Sequence, residues 1–144
     1  MDLVLDNPIV MRWLLSDGSP ADQEVAASVL SSIESGETRL LAPSVWPLEV
    51  ANVVARAESQ GLVTEAETTR FLGLLQDLMV TVDPGGVDPV FGLTLQLARR
   101  FGLSAYDASY LALALQHSAS LATLDQSLVA AARRAGVALF ASST

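Results

Sequence analysis

Asp2-Leu3-Val4-Leu5-Asp6-Asn7-Pro8-Ile9-Val10-Met11-Arg12-Trp13-Leu14 is the stretch whose reading decides the fold. Asp2 to Leu5 is a short apolar run of strand type that stops at an acid. Asn7 is a good helix N-cap and Pro8 a good first helical residue, so a helix is predicted to start there. On that reading Asp6 stands between strand and helix with no capping duty of its own. A helix N-cap is the plain alternative for it.

Outward from this unit, strand and helix signals alternate. The first helix is predicted to end near Ser16-Asp17-Gly18-Ser19-Pro20, a run of breakers. Ala21 to Glu34 carries Val25, Val29 and Ile33 at helical spacing, with Gly36 just beyond. Thr38 to Ala42 reads as a second strand. Pro43-Ser44 opens a third helix to about Gln60, stopped by Gly61. Thr64-x-x-Glu67 is a capping box that starts a fourth. Leu78 to Val82 reads as a strand, Val87 to Arg100 and Ser104 to His117 as helices, and Ser120 to Leu124 as a strand. Gln126 to Arg134 is a helix stopped by Gly136, Val137 to Phe140 a last strand, and Ala141 to Thr144 a polar tail. Alternation of this kind predicts an α/β fold, a parallel sheet covered by helices on both faces. Sites in such sheets form at the carboxyl ends of strands, where strand order reverses. Asp6 and Asp125 both follow directly after predicted strands.

The bulk composition narrows the chemistry. A chain of 144 residues, 51% hydrophobic and 17% charged, is expected to form one folded domain over 1–144. There is no cysteine, which excludes disulfides, thiolate catalysis and Cys-based zinc sites. No basic leader region and no apolar run near the ~18 residues of a membrane helix is visible, so a cytoplasmic protein without membrane attachment is expected. Net charge is −8, from eight arginines and sixteen acids, with no lysine. That balance disfavours non-specific nucleic-acid binding. Two facts weigh the other way: acids around a divalent ion are partly neutralised by it, and arginine grips phosphate in a fork. An acidic surface also suits a basic protein partner.

Four acids stand out. Glu49 shares a stripe of the third helix with Asn52 and Arg56, opposite the apolar Trp46, Val50, Val53, Val54 and Ala57; taken alone, it reads as a solvated face. Asp107 sits on a helix that is apolar nearly all round. It completes a possible capping box with Ser104, yet a carboxylate there also needs a partner such as a metal ion. Asp125 precedes a helix and reads by itself as an N-cap. Gathered at one sheet edge, these carboxylates would repel one another, and without a cation at least one should protonate. Oxygen donors of this kind suit Mg²⁺ or Mn²⁺, which can activate water against a phosphodiester.

Several stretches resemble one known family. Val4 to Leu14 looks like the opening strand and helix of a PIN domain. Ala42-Pro43-Ser44 with Glu49 and Asn52 resembles its second acidic motif. Leu103 to Ala114, with Tyr106, Asp107 and Tyr110, resembles the third, and Leu121 to Leu128, with Thr123 and Asp125, the fourth. The compact length is similar to that of VapC-type toxins of bacterial toxin–antitoxin pairs. The resemblance implies a three-layer α/β/α sandwich and a Mg²⁺-dependent endoribonuclease, with Mn²⁺ as a substitute ion. It also implies an RNA substrate, a homodimer, and a small antitoxin lying across the site. It gives Asp6 and Asp107 the most direct metal-ligand role, with Glu49 and Asp125 completing a catalytic cluster. Thr123 would hydrogen-bond within the site and Asn52 would brace it. One departure stands at Pro8, where the family often carries a small hydroxyl residue.

The remaining polar residues read more plainly. His117, the only histidine, closes a helix. Trp13 and Trp46 read as core or dimer-interface residues, with stacking on RNA bases as the alternative. Arg12, Arg56 and Arg99-Arg100 are candidate phosphate contacts, with surface solvation as the plain reading of each. The absence of lysine excludes a P-loop and argues against a phosphoacceptor receiver domain. A catalytically silent PIN-fold dimeric binding module, and a PIN-like nuclease of RNA processing or of DNA, stay open as alternatives.

Overall fold

The computed structural model describes residues 1–15 and 17–140. β1 (Asp2–Leu5) leads into α1 (Asn7–Leu14) and α2 (Pro20–Glu34), then β2 (Arg39–Ala42), α3 (Trp46–Ser59), α4 (Glu65–Asp77) and β3 (Thr81–Val82). A short helical turn, α5 (Val87–Pro89), runs through a π-helical turn (Val90–Thr94) into α6 (Leu95–Phe101). Then come α7 (Ala105–His117), β4 (Ser120–Ala122) and α8 (Gln126–Ala135). The four strands form one parallel sheet in the order β3-β2-β1-β4. The chain therefore steps outward from β1 to β3 and crosses back to place β4 on the other side of β1. The carboxyl ends of β1 and β4 flank that reversal, and the Asp6 amide donates to the Ala122 carbonyl across it at 3.2 Å.

Packing follows the apolar pattern. Leu3, Val4, Leu5, Leu40, Leu41, Ala42, Leu121 and Ala122 are buried, as expected of short strands covered on both faces. α1 packs on α2 and α3, while α7 packs on α6, α8, β1 and β2, so two helical layers enclose the sheet. α7 contributes six buried residues, from Ala108 to Ala114. Trp13 is partly buried and packs against the core, and its indole N–H donates to the Ala26 carbonyl at 2.9 Å, tying α1 to α2. No helix of the described residues is long and apolar enough to cross a membrane.

Three expectations change. The third strand, read from Leu78, begins only at Thr81, because Leu78 caps α4 and Met79 takes a left-handed φ of 55°. The last strand shrinks to a single parallel bridge of Leu139 on Leu121. Most consequentially, Asn7 is not the cap of α1. Asp6 is: its backbone is extended and its carboxylate accepts from the Ile9 amide, while Asn7 and Pro8 are already helical. Asn7 is buried instead. The tail Ala141 to Thr144 and Ser16 lie outside the described residues.

Candidate active site

Three helices begin at the strand-order reversal, each with a side-chain cap. Asp6 Oδ1 accepts from the Ile9 amide at 3.3 Å, starting α1. Asp125 Oδ1 accepts from the Ser127 and Leu128 amides at 2.8 and 3.2 Å, starting α8. Ser104 Oγ accepts from the Asp107 amide at 3.1 Å, starting α7. The reciprocal half of a capping box is found at Thr64–Glu67 but not at Ser104–Asp107. The capping readings of Asp6 and Asp125 are thus correct as far as they go. Helix N-termini carry positive partial charge and favour anions, so this edge tolerates carboxylates that would otherwise repel.

Thr123 joins two of the acids. Its hydroxyl donates to Asp6 Oδ2 and accepts from the Asp125 amide at 3.0 Å. Both oxygens of Asp6 are thereby engaged, in a residue only 4% exposed. Burial pushes the Asp6 carboxyl up to about 7, against the pull of its Thr123 and Ile9 hydrogen bonds, and the charges of Asp125 and Asp107 push the same way. Asp107 is also raised, by burial first and by Asp125 second. Mutual repulsion among Asp6, Asp107 and Asp125 is the electrostatic sign that they share one locality.

Glu49, in the first turn of α3, enters through a residue the sequence reading quoted without a role. The Tyr110 hydroxyl donates to Glu49 Oε1 at 2.5 Å. Burial raises the Tyr110 phenol, Glu49 raises it further by hydrogen bond and charge, and Asp6 and Asp107 add to the shift. Tyr110 therefore hydrogen-bonds to Glu49 and lies within electrostatic reach of Asp6 and Asp107. A tyrosine on a helix apolar nearly all round signals this partnership, because a buried phenol needs an acceptor.

Other candidates stand apart. Asn52 and Arg56 are exposed further along α3 and take no part in these hydrogen bonds. Arg12 is mostly buried and paired with Asp17 at 3.0 Å. His117 ends α7 and lies 3.8 Å from Asp83. Trp46 is buried on α3 with its indole N–H unpartnered.

The donor set fits a hard divalent cation. It consists of carboxylate oxygens, and the most buried of them is driven toward its neutral form by burial first and by the charges of Asp125 and Asp107. Among the described residues no three acids stand at a spacing that would enclose an ion. Mg²⁺ keeps several waters and uses one or two carboxylates, so a hydrated ion needs no closed cage. Asp6 and Asp107 could hold such an ion, with Asp125 tied to Asp6 through Thr123 and Glu49 held by Tyr110.

The PIN-domain family profile matches residues 3–134. This chain belongs to the PIN-domain family. PIN domains are generally nucleases that use divalent metal ions. No curated protein matches the chain at a significant level. The solved structure of PAE2754 from Pyrobaculum aerophilum is similar with a TM-score of 0.67 and 20% identity, over 91% of this chain and 84% of that one. FitAcB from Neisseria gonorrhoeae is similar with a TM-score of 0.54 and 21% identity, over 96% of both chains. FitAB bound to an IR36 DNA fragment gives 0.57 and 22%, over 96% and 93%. At such identities the likeness speaks for the PIN fold, an α/β/α sandwich on a parallel sheet.

Proposed function

We propose that this PIN domain is a Mg²⁺-dependent endoribonuclease and the toxin of a toxin–antitoxin pair. The observation that carries the nuclease reading is the Asp6–Thr123–Asp125 linkage at the strand-order reversal, electrostatically coupled to Asp107. Asp6 and Asp107 would hold the ion, and Mn²⁺ could replace Mg²⁺ there. A bound divalent ion supplies an acidified water and a counter-charge for the phosphodiester. Thr123 fixes the Asp6 carboxylate, Tyr110 fixes Glu49, and the α8 amides fix Asp125. The N-termini of α1, α7 and α8 favour a phosphate at the same edge. Hydrolysis adds water at phosphorus and breaks one bridging P–O bond.

The toxin reading rests on the motifs, the compact chain and the charge of −8. A basic antitoxin segment placing an arginine among the acids would replace the metal's charge and exclude RNA. An apolar groove of about 440 Å³, lined by Trp46, Val50, Leu72, Leu75, Met79 and Val82, offers a seat for the apolar face of such a partner. The protein acts in the cytoplasm as a homodimer.

Cleavage of RNA with Mg²⁺ and with EDTA, by wild type, Asp6→Asn and Asp107→Asn, tests the reading. Cleavage should need the ion and be lost in both variants with the fold retained. A folded variant that cuts as fast as wild type removes that residue from the ligand set. Toxicity on expression should be relieved by the product of an adjacent antitoxin gene. An active nuclease that is harmless alone would leave only the enzyme reading.

A further inference from the structure

Half of the chain's positive charge is gathered at one place that the acidic site does not use. α6 ends Ala98-Arg99-Arg100-Phe101-Gly102 and α8 ends Ala132-Arg133-Arg134-Ala135-Gly136, the same ending but for Phe101 against Ala135. Both glycines are left-handed, with φ of 65° and 78°. The next amides close the ends alike, Leu103 on the Ala98 carbonyl at 3.1 Å and Val137 on the Ala132 carbonyl at 2.9 Å. Tertiary packing then brings the two ends together. The guanidiniums of Arg100 and Arg134 each lie 5.3 Å from the centre of the Phe101 ring. The two can be no further apart than twice that distance.

Arginine in a last turn complements the helix dipole, and that explains each pair separately. It does not explain why two like charges from different helices share one ring. Arg99, Arg100, Arg133 and Arg134 are all exposed, and among the described residues none makes an ion pair with a carboxylate. The rest of the chain carries four arginines against sixteen acids, two of those arginines being paired with Asp17 and Asp2. An anion approaching this molecule therefore meets one concentrated region of positive potential. The ring holds two planar forks in place, which reduces the ordering cost of gripping a ligand.

The patch is also near the acids. Only Gly102 and Leu103 separate Phe101 from Ser104, the cap of the helix that carries Asp107. By chain length, Phe101 and Asp107 are within ~16 Å, a few nucleotides of a single strand.

We propose that Arg100 and Arg134, ordered around Phe101, with their chain neighbours Arg99 and Arg133 adding charge, form a backbone-phosphate subsite that grips the RNA strand a few nucleotides from the cleaved bond. The inference rests on the nuclease reading and adds where an acidic protein holds its anionic substrate. Each phosphate contact to a single strand is worth about fourfold in affinity at 0.15 M salt, and steepens the salt dependence by ~0.7.

Binding of a fluorescent single-stranded RNA, in the cleavage-blocked Asp107→Asn background, is the test. Arg100→Gln and Arg134→Gln should each weaken binding about fourfold at 0.15 M salt and flatten the log–log salt slope by ~0.7. Phe101→Leu, which removes the ring and keeps the charges, should weaken binding with little change of slope. Arg70→Gln, an exposed arginine elsewhere with the same charge change, should do neither. In the cleaving protein, the preference for long over short RNA in kcat/KM should fall in the Arg100 and Arg134 variants, with melting temperatures near wild type. If they bind RNA with the wild-type affinity and slope, the arginines only cap their helices or serve an acidic protein partner, and the subsite is overturned while cleavage by wild type still upholds the nuclease reading. If wild type cuts no RNA, the nuclease reading fails on its own, and the binding arm still reports on the subsite.

Discussion

Asp6 carries two duties that pull in opposite directions. As the cap of α1 it accepts the Ile9 amide, and as the most buried acid of the site it resists ionisation. With its carboxyl raised from the ordinary value to about 7, the native state holds a proton that the unfolded chain releases between those limits. The unfolded state then binds fewer protons, so metal-free stability falls as pH rises from about 4 to about 7 and levels off above, by a few kcal/mol at most. A divalent ion competes with that proton, so its affinity should rise over the same window. Asp6→Asn keeps a capping oxygen and removes the ionisation. Its melting temperature without metal should exceed that of wild type at pH 7 and lose most of the pH trend. A wild-type pH profile in this variant would show that another group sets the dependence.

At the scale of elements, Asp125 shows how capping and chemistry separate. Its Oδ1 holds the first amides of α8, whose far end carries Arg133 and Arg134. Asp125→Asn keeps the cap and removes the charge; Asp125→Ala removes both. The alanine variant should lose about 1 kcal/mol of stability and the asparagine variant only a few tenths, while both lose cleavage. Thermal melts with RNA-cleavage assays distinguish the outcomes: an active, destabilised alanine variant would reduce Asp125 to a cap. The same scale explains the shortened third strand. α4 keeps its helical hydrogen bonds through Asp77, and the turn at Leu78-Met79 uses residues that apolar character alone assigns to a strand.

For the whole molecule, metal is expected to act as a stabilising ligand. Free ion at about a hundred times its dissociation constant stabilises by ~2.7 kcal/mol, or a rise on the order of 10 °C in melting temperature for a chain of this size. Mn²⁺ and Mg²⁺ titrations followed by calorimetry measure it, and superimposed melts in EDTA and in saturating Mn²⁺ would count against a bound ion. The rise should vanish in Asp6→Asn, which lacks the charge the ion neutralises. Long-range charge sets the other expectation: a chain of −8 repels polyanions except where its arginines gather.

Local rules of the chain determined the element order, the strand-to-acid junctions at Asp6 and Asp125, and the parallel α/β class. Each depends on periodicity, breakers and capping chemistry within a few residues. The Thr64–Glu67 box and the Ser104 cap were legible for the same reason. The acids were legible as candidates, and family motifs ordered them. Their mutual coupling was not, because it depends on the β4 crossover that sets Asp125 beside Asp6 and on the packing of α7 against β1 and α8. The tertiary structure decided between the two caps the sequence offered for α1, Asn7 and Asp6, by burying Asn7 inside the helix start and leaving the cap to Asp6. Only it joined Tyr110 to Glu49, 61 residues apart, and brought Arg100 and Arg134 to one Phe101 ring. Contacts between distant segments are set by how the layers pack, which short-range periodicity does not encode.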